Sequence, residues 1–395
     1  MKILLTGGGS GGHLIPLLGI VFELRKICND CNKTPQPEAC PALRYEGTME
    51  PTSTTSTDLE FLLIAPVSDF NKSVSDAGIK IKTIKAGKLR RYFSWENFKD
   101  ILKIPVGIIQ SLYYIHRFKP DAVFSKGGFA SIPPVIASWI LKVPIITHES
   151  DIVPGLANCI IARLSSKILI SFSAAEKYFD KNKVILTGNP IRSDITQGDC
   201  KNALKFFKLS SDLPTILIFG GSQGAQKINE MVLEILSDLT EKCQVIHQCG
   251  DKNYEEIKNK ATQLKLKYPE RYRVYPFIKE EMKDAYALTS IVISRAGANS
   301  LAEIVALQKP NILIPLSTSA NDHQFKNAKF FLEKNASLTI DETANNSQDL
   351  ANTILKLLSD KNLQKRLQQN LSKIASPQNA SRNIAEEIIK EISLK

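Results

Sequence analysis

The sequence predicts an α/β protein of two Rossmann-like domains, each built on a parallel sheet, and three observations lead to that class. A strand, glycine loop and helix open the chain, the same succession returns in the second half, and short apolar runs alternate with helical patterns throughout. The length of 395 residues also suits two cores better than one.

Lys2 to Thr6 is a short apolar run that leads into Gly7 to Gly12, after which apolar positions recur at helical spacing from Leu14 to Ile27. Residues 29–58 break the alternation with Pro, Thr and Ser clusters and read as an inserted flexible loop. Apolar runs at Ala122 to Phe124, Ile145 to Thr147, Ile168 to Ile170 and Val184 to Leu186 then alternate with helical patterns, as in a parallel sheet with crossover helices. Turn chemistry at Gly188-Asn189-Pro190 marks the junction. Beyond it, Thr215 to Phe219, Gly220 to Gly224 and Ile228 to Leu239 repeat the opening unit, and Gln244 to Gln248, Arg273 to Tyr275, Ile291 to Ser294 and Asn311 to Pro315 continue the rhythm. The domains are therefore expected at 1–189 and 190–375. The tail is helical from Ser347, with Pro377 as a break before a last amphipathic helix, Ser381 to Ile392.

Composition narrows the class. With 43% hydrophobic, 23% charged and 7% aromatic residues, the chain is neither disordered nor membrane-spanning in character. The formal charge of +11 asks for an anionic partner: nucleic acid, anionic lipid or a phosphate-rich substrate. Most of the seven cysteines are scattered through helical or strand patterns, which favours a reducing compartment, the cytoplasm. No export signal is expected where Thr6 passes at once into the glycine loop. The most apolar later stretch, Ile132 to Thr147, is interrupted by Pro133, Pro134, Lys142 and Pro144 and falls short of a span of roughly 20 residues, so membrane contact would be peripheral.

Several motifs carry chemistry. Gly7 to Gly12 satisfies G-x-G-x-x-G, which brings backbone amides and a helix N-terminus to a pyrophosphate. A tight turn needs the same glycines, and a nicotinamide site would want an acid after the second strand, for which Asp69 is a loose fit. His13 follows the loop, where an imidazole could orient a diphosphate or accept a proton. Gly220 to Gly224 repeats the arrangement, with the Ser222 hydroxyl near phosphate; two such loops facing across a cleft suit two phosphorylated substrates.

Ser294 to Glu303 runs from strand to helix and puts Glu303 in the first turns, where a carboxylate can accept two ribose hydroxyl protons. His148-Glu149-Ser150-Asp151 emerges at the carboxyl end of a strand, where ligands bind in this architecture. Lys80, Lys82, Lys85, Lys88, Arg90, Arg91, Lys99 and Lys103 are interleaved with Tyr92, Phe93, Trp95 and Phe98, a mixture suited to an anionic membrane surface or to stacking on single-stranded nucleic acid. Cys28, Cys31 and Cys40 resemble half a zinc site, with no fourth ligand nearby.

Taken together, eight segments resemble the lipid I N-acetylglucosaminyltransferases of peptidoglycan synthesis, two-domain inverting enzymes of glycosyltransferase family 28 with the GT-B fold. They are Thr6 to His13, Gly87 to Phe93, Ser125 to Phe129, His148 to Asp151 with Pro154 to Asn158, Gly188 to Arg192, Gly220 to Ala225, Ser294 to Glu303 and Asp322 to Ala328. The resemblance covers nearly the whole chain and implies that the final helix, within 376–395, crosses back to the first domain. It implies transfer of N-acetylglucosamine from UDP-N-acetylglucosamine to lipid I at an anionic membrane surface, without cofactor, metal or nucleic acid, peripherally on the cytoplasmic face and within reach of a cell-wall synthesis complex.

For the donor it implies Arg192 and Ser222 near diphosphate and uridine, Ile278 beside Phe277 reading uracil, Ala298, Glu303 on the ribose, and Gln324 and Asn327 on sugar hydroxyls, with Asp151 also a donor contact. Ser10, Gly11 and Gly12 are phosphate contacts, set against the donor and equally against the acceptor pyrophosphate. The acceptor and membrane set is Lys88, Arg90, Arg91, Tyr92, Phe93, Trp95, Lys126, Gly127, Gly128 and Trp139. His13 is the first choice for the base, with Glu149 and Asp151 as competitors. Many relatives carry Asn where this chain has Asp151, which weakens the donor role there. A UDP-N-acetylglucosamine 2-epimerase and a non-catalytic nucleotide-sugar or nucleic-acid binder are the rival expectations.

Overall fold

The computed structural model describes residues 1–8, 11–33, 59–67, 71–87, 95–192, 194–221, 225–344, 347–374, 377 and 379–394. They form two compact units: Met1–Ser150 with Pro154–Pro190 and Asn379–Lys395, and Asp151–Val153 with Ile191–Gln378.

The first unit comprises β1 (Lys2–Thr6), α1 (Gly11–Lys33), β2 (Glu60–Ala65), α2 (Asn71–Asp76), β3 (Lys80–Thr83), α3 (Trp95–Phe118), β4 (Ala122–Ser125), α4 (Ile132–Ile140), β5 (Ile145–Glu149), α5 (Leu156–Leu164), β6 (Lys167–Ile170) and β7 (Val184–Leu186). Its strands lie in the order β3-β2-β1-β4-β5-β6-β7 and every pair is parallel. Helices cover both faces, so β1, β4 and β5 are near-continuously buried rather than alternating. Sequence order reverses between β1 and β4, where Thr6 pairs with Ser125.

The second unit comprises α6 (Cys200–Phe207), β8 (Thr215–Phe219), α7 (Gln226–Lys242), β9 (Gln244–Gln248), α8 (Tyr254–Gln263), β10 (Tyr272–Tyr275), α9 (Met282–Leu288), β11 (Ile291–Ser294), α10 (Ala298–Leu307), β12 (Asn311–Leu313), α11 (His323–Glu333), β13 (Leu338–Thr339), α12 (Ser347–Ser359) and α13 (Lys361–Ile374). The order β10-β9-β8-β11-β12-β13 is again wholly parallel, and it reverses between β8 and β11. In open sheets of this kind the crevice outside the carboxyl ends of the strands at the reversal takes the ligand.

The last helix, α14 (Ala380–Ser393), belongs to the first unit, where Ile384, Ala385, Ile388 and Ile389 share a core with Ile3, Leu5, Leu17 and Leu24. Lys167 on β6 meets Glu387 at 3.1 Å, and the Asn383 amide donates to the Thr187 carbonyl at 3.3 Å.

Two readings need correction. The insert does not begin at Asn29, because α1 continues to Lys33: nothing breaks a helix before Pro35 and the residue preceding it. Lys80 and Lys82, grouped with the basic aromatic stretch, lie in an edge strand, β3, which sequence reading passed over together with β2 and β13. Asp69, Cys40 and the Gly87 to Phe93 segment beyond Gly87 lie outside the described residues.

Candidate active site

In the first unit, polar groups gather where β4 and β5 end. Gly127 and Gly128 follow β4 at φ of 84° and 86°, a left-handed conformation that favours glycine. A β-carbon on Gly127 would run into the Asn158 carboxamide. That carboxamide links two candidates: its Oδ1 accepts from the Gly128 amide at 3.2 Å, and its Nδ2 donates to Glu149 Oε2 at 2.7 Å. Glu149, at the end of β5, is buried.

Lys126 does not face a membrane. It is 1% exposed, and its ammonium donates to Ser150 Oγ at 2.6 Å and Asn189 Oδ1 at 2.9 Å and lies 2.7 Å from His148 Nδ1. An ammonium is only a donor, so Nδ1 accepts and Nε2 carries the proton toward the Gly188 carbonyl, 2.8 Å away. Burial, reinforced by the Lys126 charge, holds His148 well below the usual imidazole range and therefore neutral. The cation thus ties the ends of β4 and β5 to the turn after β7.

Gly11 and Gly12 open α1, as the glycine-loop reading requires, and His13 lies in its first turn. The His13 side chain, Ser10, Lys88, Arg90, Arg91, Tyr92 and Phe93 lie outside the described residues, as does the side chain of Trp95, the first residue of α3. On α4, Trp139 and its neighbour Ile140 are exposed, as are Ile109 and Tyr113 on α3, which packs beside α4. Ile109 and Tyr113 were not singled out from sequence, although a helix that leaves apolar residues in water signals an interaction surface.

In the second unit the loops after β8 and β11 flank the reversal point. Gly220 is hemmed in by Ala225, and Gly221 has φ of 90°; Ser222 lies outside the described residues. After β11 the chain enters α10 at Ala298, and Glu303 accepts from the Tyr286 hydroxyl at 2.8 Å. Burial pushes the Glu303 carboxyl up to about 7, against the pull of the Tyr286 hydrogen bond and the Arg192 charge.

Arg192 forks onto Asp194, with Nε to Oδ1 at 3.0 Å and Nη2 to Oδ2 at 2.8 Å, while Nη1 donates to the Lys279 carbonyl. Its guanidinium is thus aimed by Asp194, a partner the sequence reading missed. Ile278 is buried and its amide donates to Gln248 Oε1 at 2.8 Å, while Phe277 is exposed. Gln248 was legible in principle as a polar residue closing a parallel strand.

Asn327, expected on a sugar hydroxyl, is fully buried. Its Nδ2 donates to Asp151 Oδ1 at 2.9 Å and to the Ala296 carbonyl at 3.1 Å, and its Oδ1 accepts from the Ile152 amide at 3.2 Å. These bonds tie it to Asp151. Gln324 Oε1 accepts from the Leu316 amide at 3.0 Å, which leaves its Nε2 to act as a donor. Beneath this loop a buried ion pair, Arg295 with Glu342 at 2.5 Å, is anchored by the Ile314 carbonyl and the Ser317 amide. Among the described residues no group of three or more His, Cys, Asp or Glu is arranged to hold a metal, and no helix is long and apolar enough to cross a membrane.

Two doubly wound sheets, each with polar and glycine-rich loops at its reversal point, define a two-unit α/β protein equipped for phosphorylated ligands. Residues 60–170 match the glycosyltransferase family 28 N-terminal domain and residues 215–388 match the family 28 C-terminal domain. The chain belongs to glycosyltransferase family 28.

A Clostridium perfringens (strain SM101 / Type A) relative, named UDP-N-acetylglucosamine–N-acetylmuramyl-(pentapeptide) pyrophosphoryl-undecaprenol N-acetylglucosamine transferase, is 37% identical over 391 residues, 99% of this chain and 98% of its own. A Bacillus cereus (strain ATCC 10987 / NRS 248) relative with the same name, numbered 2, is 40% identical over 331 residues, 84% of each chain. Among solved structures, Acinetobacter baumannii MurG superposes with a TM-score of 0.72 at 22% identity, covering 98% of this chain and 99% of that one. A Neisseria meningitidis UDP-GlcNAc 2-epimerase bound to UDP-GlcNAc gives 0.63 at 15% identity, covering 99% and 100%. At these identities the two structures speak to the fold alone.

Proposed function

We propose that the chain transfers N-acetylglucosamine from UDP-N-acetylglucosamine to the 4-hydroxyl of the N-acetylmuramoyl unit of undecaprenyl-pyrophosphoryl-MurNAc-pentapeptide, lipid I, to give lipid II. The observation that carries this reading is the 37% identity to a transferase of that name over 99% of the chain. The epimerase fold neighbour matches at 15% and does not compete with it.

In this reading the donor lies on the second unit. Glu303 accepts from the ribose, Ile278 meets uracil beside Phe277, Gln324 donates to the sugar, and Arg192 faces the diphosphate together with the loop containing Ser222. The acceptor lies on the first unit, against Gly127, Gly128 and the loop of Ser10 to Gly12. The acceptor oxygen attacks the anomeric carbon as the bond to the diphosphate oxygen breaks, which inverts that carbon and releases UDP. A base takes the hydroxyl proton, and donors around the diphosphate absorb the charge on the leaving group. His13 is the first choice for the base, and Glu149 and Asp151 compete with it, their carboxylates held by Asn158 and Asn327. The exposed Trp139, Ile140, Ile109 and Tyr113, with the basic segment of Lys88, Arg90 and Arg91, support peripheral attachment to an anionic membrane, on the cytoplasmic face where the nucleotide sugar is made. A cell-wall synthesis complex is a fitting partner.

The test is UDP release from labelled UDP-N-acetylglucosamine with and without a short-chain lipid I analogue. Acceptor-dependent release with label in the disaccharide-lipid is the expected result. Release without acceptor, or N-acetylmannosamine in the product, would overturn the reading in favour of hydrolysis or epimerisation.

A further inference from the structure

Tyr286 on α9 is fully buried, and nothing in the transfer chemistry calls for a phenol at that depth. Phe219, the last residue of β8, meets its ring edge-on at 6.1 Å and 81°, so the ring is held in one orientation. Its hydroxyl reaches a single side chain among the described residues, Glu303 on α10, with 2.8 Å between the oxygens. We propose that Tyr286 is a positioning and specificity residue: by donating to Glu303 Oε2 it turns Oε1 outward as the acceptor for the ribose hydroxyls of the donor. This rests on the reading of Glu303 as the ribose contact.

The geometry supports a clamp rather than a filler. An isolated carboxylate on a helix turns about its terminal torsion with little resistance. A donor fixed on one oxygen removes that freedom before the ligand arrives, and less ordering is then lost on binding. The phenol can play this part at any working pH, since burial, the Glu303 charge and their hydrogen bond all push it well above its usual range. The charged groups facing Glu303 are Arg192, which draws its proton off, and Asp194, which holds it on. With the carboxyl raised to about 7, mainly by burial, the Tyr286 hydrogen bond helps decide how much carboxylate meets the ribose at neutral pH.

The experiment is calorimetric titration of the full-length enzyme, its Tyr286→Phe variant and its Glu303→Gln variant with UDP and with 2′-deoxy-UDP, from about pH 5.5 to about 8.5. Tyr286→Phe keeps the ring and removes the donor, and is expected to bind UDP about tenfold more weakly near neutral pH. Its binding midpoint should move to higher pH, its loss on 2′-deoxy-UDP should be much smaller, and in turnover KM should rise while kcat is kept. Equal losses on both nucleotides, or an unmoved pH midpoint, would overturn the clamp. If wild type fails to discriminate the two nucleotides and Glu303→Gln binds UDP normally, the ribose reading itself falls, a result separate from failure of Tyr286 alone. Should the Phe variant not fold, the wild-type titrations still decide: a pH dependence as steep for 2′-deoxy-UDP as for UDP would refute the proposal.

Discussion

Glu303, half-buried, and His247, fully buried, are both titratable groups displaced by burial in opposite chemical senses, an acid made weaker and a base made weaker. His247 on β9 shows the structural use of such a group. Asn229 Nδ2 donates to the Cys249 carbonyl, which fixes Asn229 Oδ1 as an acceptor; His247 Nε2 therefore donates to it at 2.9 Å, and Nδ1 accepts from Tyr272 at 2.8 Å. Burial lowers the imidazole to about 3, so between that value and the free value near 6.5 the unfolded chain binds the extra proton. Stability contributed by neutral His247 is present above pH 6.5 and lost as pH falls, by about 1.4 kcal/mol per unit. His247→Gln should cost most at pH 7, and its deficit in urea unfolding should shrink at about that rate on acidification; a deficit constant with pH would exclude this account. At this scale the sequence marked residue types. It could not show that Asn327 is spent on Asp151 and Lys126 on His148, because those pairings join positions far apart in the chain.

At the scale of elements, the strands bearing the glycine loops were legible because a strand buried on both faces must be an apolar run, and the loop after it must allow close backbone approach. The edge strand β3 was not, since Lys80, Lys82 and Thr83 leave it little apolar signal. α14 was legible as an amphipathic helix, while its partner was an expectation from the family. The packing explains why it is needed: Ile384 and Ile388 fill the same core as Ile3 and Leu24, and both are fully buried. Ile388→Ala is expected to destabilise the first unit by about 2–5 kcal/mol. Differential scanning calorimetry should show this as a lowered transition, and an unshifted one would place α14 outside the cooperative core.

For the whole molecule, the +11 charge and the exposed aromatic and aliphatic residues of α3 and α4 belong together in the proposed membrane attachment. Each well-placed cation adds about 1 kcal/mol at an anionic surface, and salt weakens that share. Co-sedimentation should therefore rise with the phosphatidylglycerol content of vesicles, fall with salt, and drop on Trp139→Ser. Binding indifferent to lipid charge would count against the attachment.

By itself the sequence determined the two parallel-sheet units and the places where the glycine loops emerge, because hydrophobic periodicity and glycine spacing are local properties that a chain carries whether folded or not. It also determined the family, through ordered motifs spread over most of its length. Only the tertiary structure decided which candidates are exposed, which are consumed by protein partners, and which carboxyl has its proton held near neutrality. Those properties depend on burial and on contacts such as Tyr286 with Glu303 and Asn158 with Glu149, which exist once the chain has folded.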